Sequence, residues 1–288
     1  MLTYLRELEV ESISILRETA AQFERPHLLY SMGKDSSVLL HLTKKAFYPN
    51  NIPFPLIHVD TGYKFPEMYS YREQIARQTK LLVYRNEEAI KEGCHPLQQG
   101  TKLCCSKLKT EALLAALDKY EVDAAIGGAR RDEERSRSKE RIFSFRNKYG
   151  HWEPKSQRPE LWRTLNGRIN KGESMRVFPL SNWTEFDVWN YIKQEGIEIV
   201  PLYFAKKRWV VKQGATLIVT DNPEAQEVSC RYRSLGCAPC SGVVSSTASN
   251  LDEIIEELQT TRLSERVTRV IDYDQDGSME RKKMEGYF

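Results

Sequence analysis

The chain reads as an α/β protein whose mainly parallel sheet carries helices on both faces. Three observations predict this. Short apolar runs recur at 27–31, 54–60, 81–85, 123–127 and 176–180, each of a length that suits a buried strand. Segments with apolar residues at helical spacing separate them at 36–46, 66–79, 106–120 and 184–195, the alternation that parallel βαβ units require. Finally, three of the runs end in glycines or charges: Ser31-Met32-Gly33, Asp60-Thr61-Gly62 and Gly127-Gly128-Ala129-Arg130. Ligands of such sheets sit beyond the carboxyl ends of the strands, so these clusters mark the predicted site.

The elements follow in order. Leu5, Leu8, Val10, Ile13, Ile15 and Leu16 are spaced for an amphipathic lead-in helix over 3–23. The first strand runs straight into Ser31-Met-Gly-Lys-Asp-Ser-Ser37 and the helix at 36–46. Phe54-Pro-Leu-Ile-His-Val-Asp60 predicts the second strand, before the helix at 66–79. The strand at 81–85 leads towards the helix at 106–120, and 123–127 returns to the sheet. Residues 130–175 are charged and nearly aperiodic, opening with Arg130-Arg131-Asp132-Glu133-Glu134-Arg135-Ser136-Arg137. A stretch this long is a functional loop or a disordered one, and Phe143, Phe145, Tyr149, Trp152 and Trp162 favour order on binding. The strand at 176–180 and a helix capped by Thr184 complete an α/β domain over 1–200. Residues 201–288 form a predicted extension with a Cys-x-x-Cys, a helix and a charged tail at Ser278–Lys283.

At 288 residues the chain can bury a large core. Its net charge of +3 and pI near 8.4 are mildly basic and neither demand nor exclude a nucleic-acid partner. Met1–Glu9 carries charge and has no apolar leader. No apolar run reaches the ~18 residues of a membrane span. The expectation is a cytoplasmic protein without a membrane partner, in which thiols stay reduced. Six cysteines there suggest metal or redox chemistry more than disulfides. His41, His58, His95 and His151 show no metal spacing, and His58, on a strand ahead of Asp60, is expected to be packed or hydrogen-bonded.

The turn at 31–37 has the make-up of a phosphate cradle. Gly33 lets the backbone approach an anion, Ser31, Ser36 and Ser37 offer hydroxyls, and the first amides of the next helix point to the same place. It is not a Walker A loop, because G-x-x-x-x-G-K-[ST] is absent. An ordinary Ser/Asp-capped helix would also begin this way.

The turn resembles the S-G-G-K-D-S loop of PP-loop ATP pyrophosphatases, with Met32 in place of the first glycine. Longer stretches resemble the small, ATP-binding subunits of bacterial sulfate adenylyltransferases, within the PP-loop and phosphoadenylylsulfate-reductase superfamily. They are Tyr30–Ser37, His58–Gly62, Gly127–Glu134, Arg158–Trp162, Asn170–Ser174, Val177–Glu185 and the terminal Gly-Ser-Met-Glu…Gly-Tyr-Phe. The resemblance covers nearly the whole chain and implies a Rossmann-like adenine nucleotide alpha-hydrolase fold. It implies that ATP is held with magnesium and cut between its α- and β-phosphates. Ser31, Gly33, Ser36 and Ser37 would grip the phosphates, and Gly127 and Gly128 would let the nucleotide pack on bare backbone. Asp60 would lie beside the ribose or a magnesium ion. Arg130 and Arg131 would meet phosphate or an incoming oxyanion with forked donors, while the rest of Arg130–Arg137 reads as a solvated charged face. Lys34 would neutralise the leaving pyrophosphate, and Asp35 would cap the helix or contact magnesium.

The cysteines depart from that family. Leu103-Cys104-Cys105-Ser106-Lys107-Leu108-Lys109 stands where typical small subunits have a His-Thr-Asp segment, and Gly236-Cys237-Ala238-Pro239-Cys240 where they commonly keep only the first cysteine. A Cys-Cys followed by Cys-x-x-Cys is similar to adenylylsulfate reductases, whose four thiolates hold a [4Fe–4S] cluster. Cys104, Cys105, Cys237 and Cys240 are therefore the candidate metal ligands. Four thiolates equally suit zinc, and a reversible Cys237–Cys240 disulfide is a third option. Cys94 and Cys230 stand apart in the sequence, Cys230 as a loop residue or a free sulfur-carrying thiol.

Two functions are expected. One is a cluster-bearing ATP pyrophosphatase that adenylates an oxyanion acceptor in sulfur incorporation. DNA phosphorothioation leads among such pathways, with DNA phosphate as acceptor and a cysteine desulfurase as partner. The other is the small subunit of a sulfate adenylyltransferase, making adenylylsulfate from sulfate and ATP beside a GTPase subunit. A homo-oligomer is compatible with either.

Overall fold

The computed structural model describes residues 3–260 apart from 97, 135 and 215. The expected charged tail and the terminal motif lie outside the described residues. Helix α1 (Tyr4–Gln22) is capped by Thr3 and leads into β1 (Pro26–Leu29), α2 (Lys34–Phe47), β2 (Leu56–Val59), α3 (Pro66–Gln78) and β3 (Leu81–Tyr84). The short α4 (Glu87–Lys91) follows. Next come α5 (Thr101–Cys105), a π-helical segment at Ser106–Glu111 and α6 (Ala112–Lys119), running without a break into one another. The chain then forms β4 (Ala124–Ile126), β5 (Phe143–Arg146), β6 (Ser174–Val177) and α7 (Glu185–Glu195).

These strands make one six-stranded sheet in the order β3-β2-β1-β4-β6-β5. All neighbours are parallel except β5, which pairs antiparallel with β6 at the edge. Successive strand residues face opposite sides of a sheet, and the packing follows that rule. Leu28, Leu56, Ala124 and Ile126 join the large core formed with α1, α2, α3 and α7. Leu29, Ile57 and Ala125 face the other way, onto Leu113, Ala116 and Leu117 of α6. The expected two-faced α/β sheet is present.

A four-stranded antiparallel sheet follows, absent from the sequence reading. It is built of β7 (Lys206–Gln213), β8 (Thr216–Val219), β9 (Gln226–Arg231) and β10 (Val244–Ser245), in the order β10-β9-β7-β8. Val210, Cys230, Tyr232 and Val243 from this region join the main core. Cys230 is thus a buried strand residue rather than a loop thiol. Helix α8 (Leu251–Thr260) ends the described chain. The charged stretch 130–175 is ordered: it holds β5 and the start of β6, which begins at Ser174 rather than at 176. Arg137 corrects the solvated-face expectation, for it is buried.

The sheet order fixes where a ligand fits. From β1 the chain moves outward to β2 and β3, then returns to place β4 on the other side of β1. The crevice beyond β1 and β4 is the topological switch point of the sheet.

Candidate nucleotide site

The turn at 31–37 opens at this switch point. Met32 adopts φ +60° with its side chain fully buried in the main core. That left-handed backbone is one a glycine would take without strain. Gly33 then caps α2 with an extended backbone. A side chain at Gly33 would press on Ser31 Oγ at 3.3 Å and on Tyr203 Oη at 3.5 Å. Tyr203, in a 3₁₀ turn at Pro201–Tyr203, accepts the Lys34 amide at 2.8 Å. Ser36 Oγ donates to the Gly33 carbonyl at 2.9 Å and receives a 3.3 Å bond from Ser31. Ser37 Oγ lies 3.5 Å from the Tyr30 hydroxyl. The loop hydroxyls therefore brace the loop itself.

Charge converges on the first turn of α2. Arg130 Nε donates to Asp35 Oδ1 at 2.7 Å, and Lys34 Nζ reaches Asp35 Oδ2 at 3.3 Å. Burial pushes the Asp35 carboxyl up, but Lys34 and Arg130 outweigh it and hold it below its ordinary range. Gly128 lets the two segments come this close: a Cβ there would lie 3.1 Å from Asp35 Cβ and 3.2 Å from its carbonyl carbon. Gly127 continues the ladder, its amide bonding the Val177 carbonyl at 2.8 Å.

Glu185, at the start of α7, adds a further carboxylate. Thr184 caps that helix in a reciprocal box with Asp187. Arg233 grips Glu185, with Nη2 to Oε2 at 2.7 Å and Nε at 3.3 and 3.2 Å from the two oxygens. Burial raises the Glu185 carboxyl, and Lys34 and Arg233 more than reverse it, leaving it below the usual value. The buried Glu185 and half-buried Asp35 carboxylates thus form one network with three buried cations around Lys34.

Asp60 and Arg131 are placed differently. Asp60 is buried at the end of β2, with Oδ1 taking bonds from the Gly62 amide at 2.9 Å and Tyr69 Oη at 3.0 Å. Its Oδ2 takes bonds from Arg72 Nη1 at 2.8 Å and Arg85 Nε at 3.0 Å. Burial raises this carboxyl, and those four donors bring it below its normal range. Asp60 is enclosed by protein donors and presents two arginines to its surroundings. Arg131 turns from the loop: its Nη1 bonds Asn182 Oδ1 at 2.7 Å, and its Nη2 lies 3.6 Å from Glu160.

The cysteine segments lie behind the β2 loop. Thr61 Oγ1 is 3.2 Å from Cys237 Sγ, and the Ala238 amide bonds the Tyr63 carbonyl at 2.7 Å. Cys104 has Cys105 and Cys237 as electrostatic neighbours, and Cys240 has Cys237 and Cys105. The four expected ligands thus act on one another electrostatically, with Cys94 the strongest neighbour of Cys104. Burial pushes the Cys104 thiol up to about 12 and the Cys240 thiol up to about 11, with adjacent sulfurs acting the same way. Burial also raises Cys237, but Lys109 and Lys64 outweigh it and lower that thiol. Cys94 corrects the expectation that it stands apart. It packs in one apolar cluster with Cys104, Ala89 and Leu108, and its carbonyl accepts Tyr63 Oη at 2.8 Å. Among the described residues no three His, Cys, Asp or Glu side chains are grouped to hold a metal ion as they stand. No described helix is long and apolar enough to cross a membrane.

Tyr203, Glu185, Arg233, Arg72 and Arg85 belong to the site and were missed in the sequence. The Thr184 cap signalled where Glu185 begins a helix. Nothing local marks Arg233, which reaches the site from the second sheet.

A profile of the phosphoadenosine phosphosulfate reductase domain matches residues 25–243. A protein from Pseudoalteromonas translucida, described as sulfate adenylyltransferase subunit 2, is 57% identical over 297 residues, covering 100% of this chain and 99% of its own. Its counterpart in Bacteroides fragilis is 55% identical, covering 100% and 98%. Among solved structures, a Candida glabrata FMN adenylyltransferase in complex with ATP aligns at a TM-score of 0.50 and 14% identity. That alignment spans 92% of this chain and 87% of the other, and shows a shared fold.

Proposed function

The chain belongs to the phosphoadenosine phosphosulfate reductase domain family, and from that membership we propose that it transfers the adenylyl group of ATP to an oxyanion. The acceptor oxygen attacks the α-phosphorus, the bond to the bridging α–β oxygen breaks, and pyrophosphate leaves with the electron pair. Such chemistry depends mainly on positioning and charge neutralisation. The amides of Asp35 and Ser36 at the start of α2 would hold the phosphates, the Lys34 amide being engaged by Tyr203, and the Lys34 and Arg130 side chains would neutralise the leaving group. Magnesium arriving with ATP would meet Asp35, whose side chain is 24% exposed at the loop, rather than the enclosed Asp60. The carrying observation is the 2.7 Å Arg130–Asp35 bond, which ties the end of β4 to the phosphate turn across the switch point.

Sulfate is the acceptor this reading favours, because relatives matching the full chain bear the name sulfate adenylyltransferase subunit 2. The product would be adenylylsulfate, and a second subunit, expected to be a GTPase, would be the partner. The test is pyrophosphate release from ATP by the chain with that subunit. Sulfate should stimulate it, and Lys34→Ala or Arg130→Ala should abolish the stimulation. No stimulation by sulfate in the assembled enzyme would defeat the assignment.

A second reading has its own observation, two buried cysteine pairs, Cys104–Cys105 and Cys237–Cys240, on segments near enough to act on one another electrostatically. The four buried cysteines, with Lys64 and Lys109 beside Cys237, would suit a [4Fe–4S] cluster by donor type and number, or zinc as runner-up, although as they stand no three of them are grouped around one centre. A cluster there would supply electron transfer or an iron that handles sulfur. The acceptor would then belong to sulfur incorporation, DNA phosphorothioation with a cysteine desulfurase among the cases. Iron, sulfide and zinc analysis of anaerobically purified protein decides it: colourless, metal-free protein would remove this reading.

A further inference from the structure

The first amide of α2 is bonded by a residue from the C-terminal extension, and from this we propose that Tyr203 is a positioning residue for the adenylyl transfer. Its hydroxyl withholds that amide from the nucleotide and so fixes where along the helix the phosphates sit. The inference rests on the nucleotide reading given above.

Helix α2 begins at Lys34, and its first amides have no carbonyl one turn back inside the helix. A Ser, Thr, Asp or Asn just before the helix would ordinarily cap one of them. Gly33 stands there instead and offers no side chain. The nearby hydroxyls are engaged elsewhere: Ser31 bonds Ser36, and Ser36 donates to the Gly33 carbonyl. The acceptor for the Lys34 amide therefore comes from 169 residues along the chain, Tyr203 Oη at 2.8 Å. Gly33 keeps space for it, since a Cβ there would lie 3.5 Å from that oxygen. This glycine thus admits a remote cap as well as an anion.

Tyr203 is held firmly. Its ring is 1% exposed and meets Trp189 of α7 edge-on at 5.4 Å, both side chains belonging to the main core. The turn it closes, Pro201–Tyr203, is tied to the second sheet on either side. The Tyr232 amide bonds the Leu202 carbonyl at 3.2 Å, and the Ala205 amide bonds the Ala248 carbonyl at 2.8 Å. Rotating the ring away would open a cavity beside Trp189, which costs more than one hydrogen bond to a phosphate contributes. The hydroxyl stays in place when the nucleotide arrives.

The consequence is one of register. With the Lys34 amide taken, the phosphates meet the amides of Asp35 and Ser36, one residue further into the helix. A residue rises about 1.5 Å along the axis, and a misplacement of that size decides whether the α-phosphorus lies in line with the attacking oxygen. A hydroxyl also caps the amide without a carboxylate's charge. The positive end of the helix dipole is left for the phosphates.

Two measurements test the role. In the complex of the full chain with a non-hydrolysable ATP analogue, hydrogen-bond couplings between amide nitrogen and phosphorus should appear at Asp35 and Ser36 and be absent at Lys34. In sulfate-stimulated pyrophosphate release by the chain with its second subunit, Tyr203→Phe keeps the ring and removes only the hydroxyl. Its kcat should fall by about 10–100-fold, with the KM for ATP within about twofold of wild type. A coupling at Lys34, or a bound analogue coupled to neither Asp35 nor Ser36, would overturn the proposal and leave the nucleotide reading standing. So would a Tyr203→Phe enzyme with unchanged kcat, whether or not its KM rises. If calorimetry finds no binding of the analogue, the nucleotide reading fails and the proposal with it. Should Tyr203→Phe fail to fold, the couplings in the wild-type complex decide alone.

Discussion

Gly128→Ala isolates the close approach on which the nucleotide site depends. The added methyl would sit 3.1 Å from Asp35 Cβ, 3.2 Å from its carbonyl carbon and 3.3 Å from its carbonyl oxygen. Two of those atoms are helix backbone, so no side-chain rotation relieves the clash. The first turn of α2 must shift by a few tenths of an ångström, or the segment that follows β4 must, and the two are joined by the 2.7 Å Arg130–Asp35 bond. Overpacking of this kind costs about 1–3 kcal/mol. Borne by the fold, that lowers the melting temperature by about 2–4 °C per kcal/mol. Borne by the bound state, it weakens ATP binding by about tenfold per 1.4 kcal/mol. Calorimetric ATP titration and thermal unfolding of the same variant separate the two. Gly196→Ala is the control, because that residue ends α7 at φ +62° with nothing within 4 Å of the added carbon. It should lose about 1 kcal/mol of stability to backbone strain and keep its ATP affinity. A Gly128→Ala protein with unchanged melting temperature and ATP affinity would refute the steric reasoning.

Three further outcomes are expected. Arg130→Ala removes the nearest cation of Asp35, which keeps Lys34 at 3.3 Å, and should cost about 1.5–3 kcal/mol of stability, read by denaturant unfolding, with Arg130→Lys intermediate because it keeps the charge and loses the fork. Burial lowers His58 to about 4 from 6.5, so it is neutral when folded at pH 7. Unfolding frees it to take a proton, so stability should fall by about 3 kcal/mol as the pH drops from 6.5 towards 4, and His58→Gln should flatten that part of the profile. Glu185 has the carboxylate sign: its folded-state value lies below 4.5, so it stabilises at neutral pH and the contribution disappears as acid carries the protein below that range. Glu185→Gln should show a shallower acid limb than wild type in unfolding measured between pH 6 and 3.

The parallel sheet was legible because its strands are buried on both faces and read as unbroken apolar runs. The switch-point loop was legible because its glycines and charges fall at strand ends. β7 was hidden by its own chemistry: Lys206-Lys-Arg-Trp-Val-Val-Lys-Gln213 buries Val210 and exposes most of the rest, so no period of two emerges. β5 was hidden for a different reason: Phe143–Arg146 is mostly buried, but its buried positions include the polar Ser144 and Arg146 and it lies in a charged stretch at the sheet edge. The ion-pair partners Arg233 and Glu160 join the site region through long-range folding, which no local spacing encodes. The grouping of the cysteines was half legible. The two pairs could be read from spacing, but the approach of Cys94 to Cys104 depends on how residues 87–105 fold back.

Met32 has a consequence for timing. A glycine at that position would sample both hands of the backbone until a ligand fixed it. A methionine side chain anchored in the core fixes the left-handed turn at φ +60° as soon as the chain folds. Ordering one residue costs about 1–2 kcal/mol of conformational entropy, and here that loss is taken during folding, before any ligand is met. The turn therefore meets its ligand already shaped. If the loop is the proposed ATP cradle, the protein gives up some adaptability there in exchange for a turn whose shape is set before the ligand arrives.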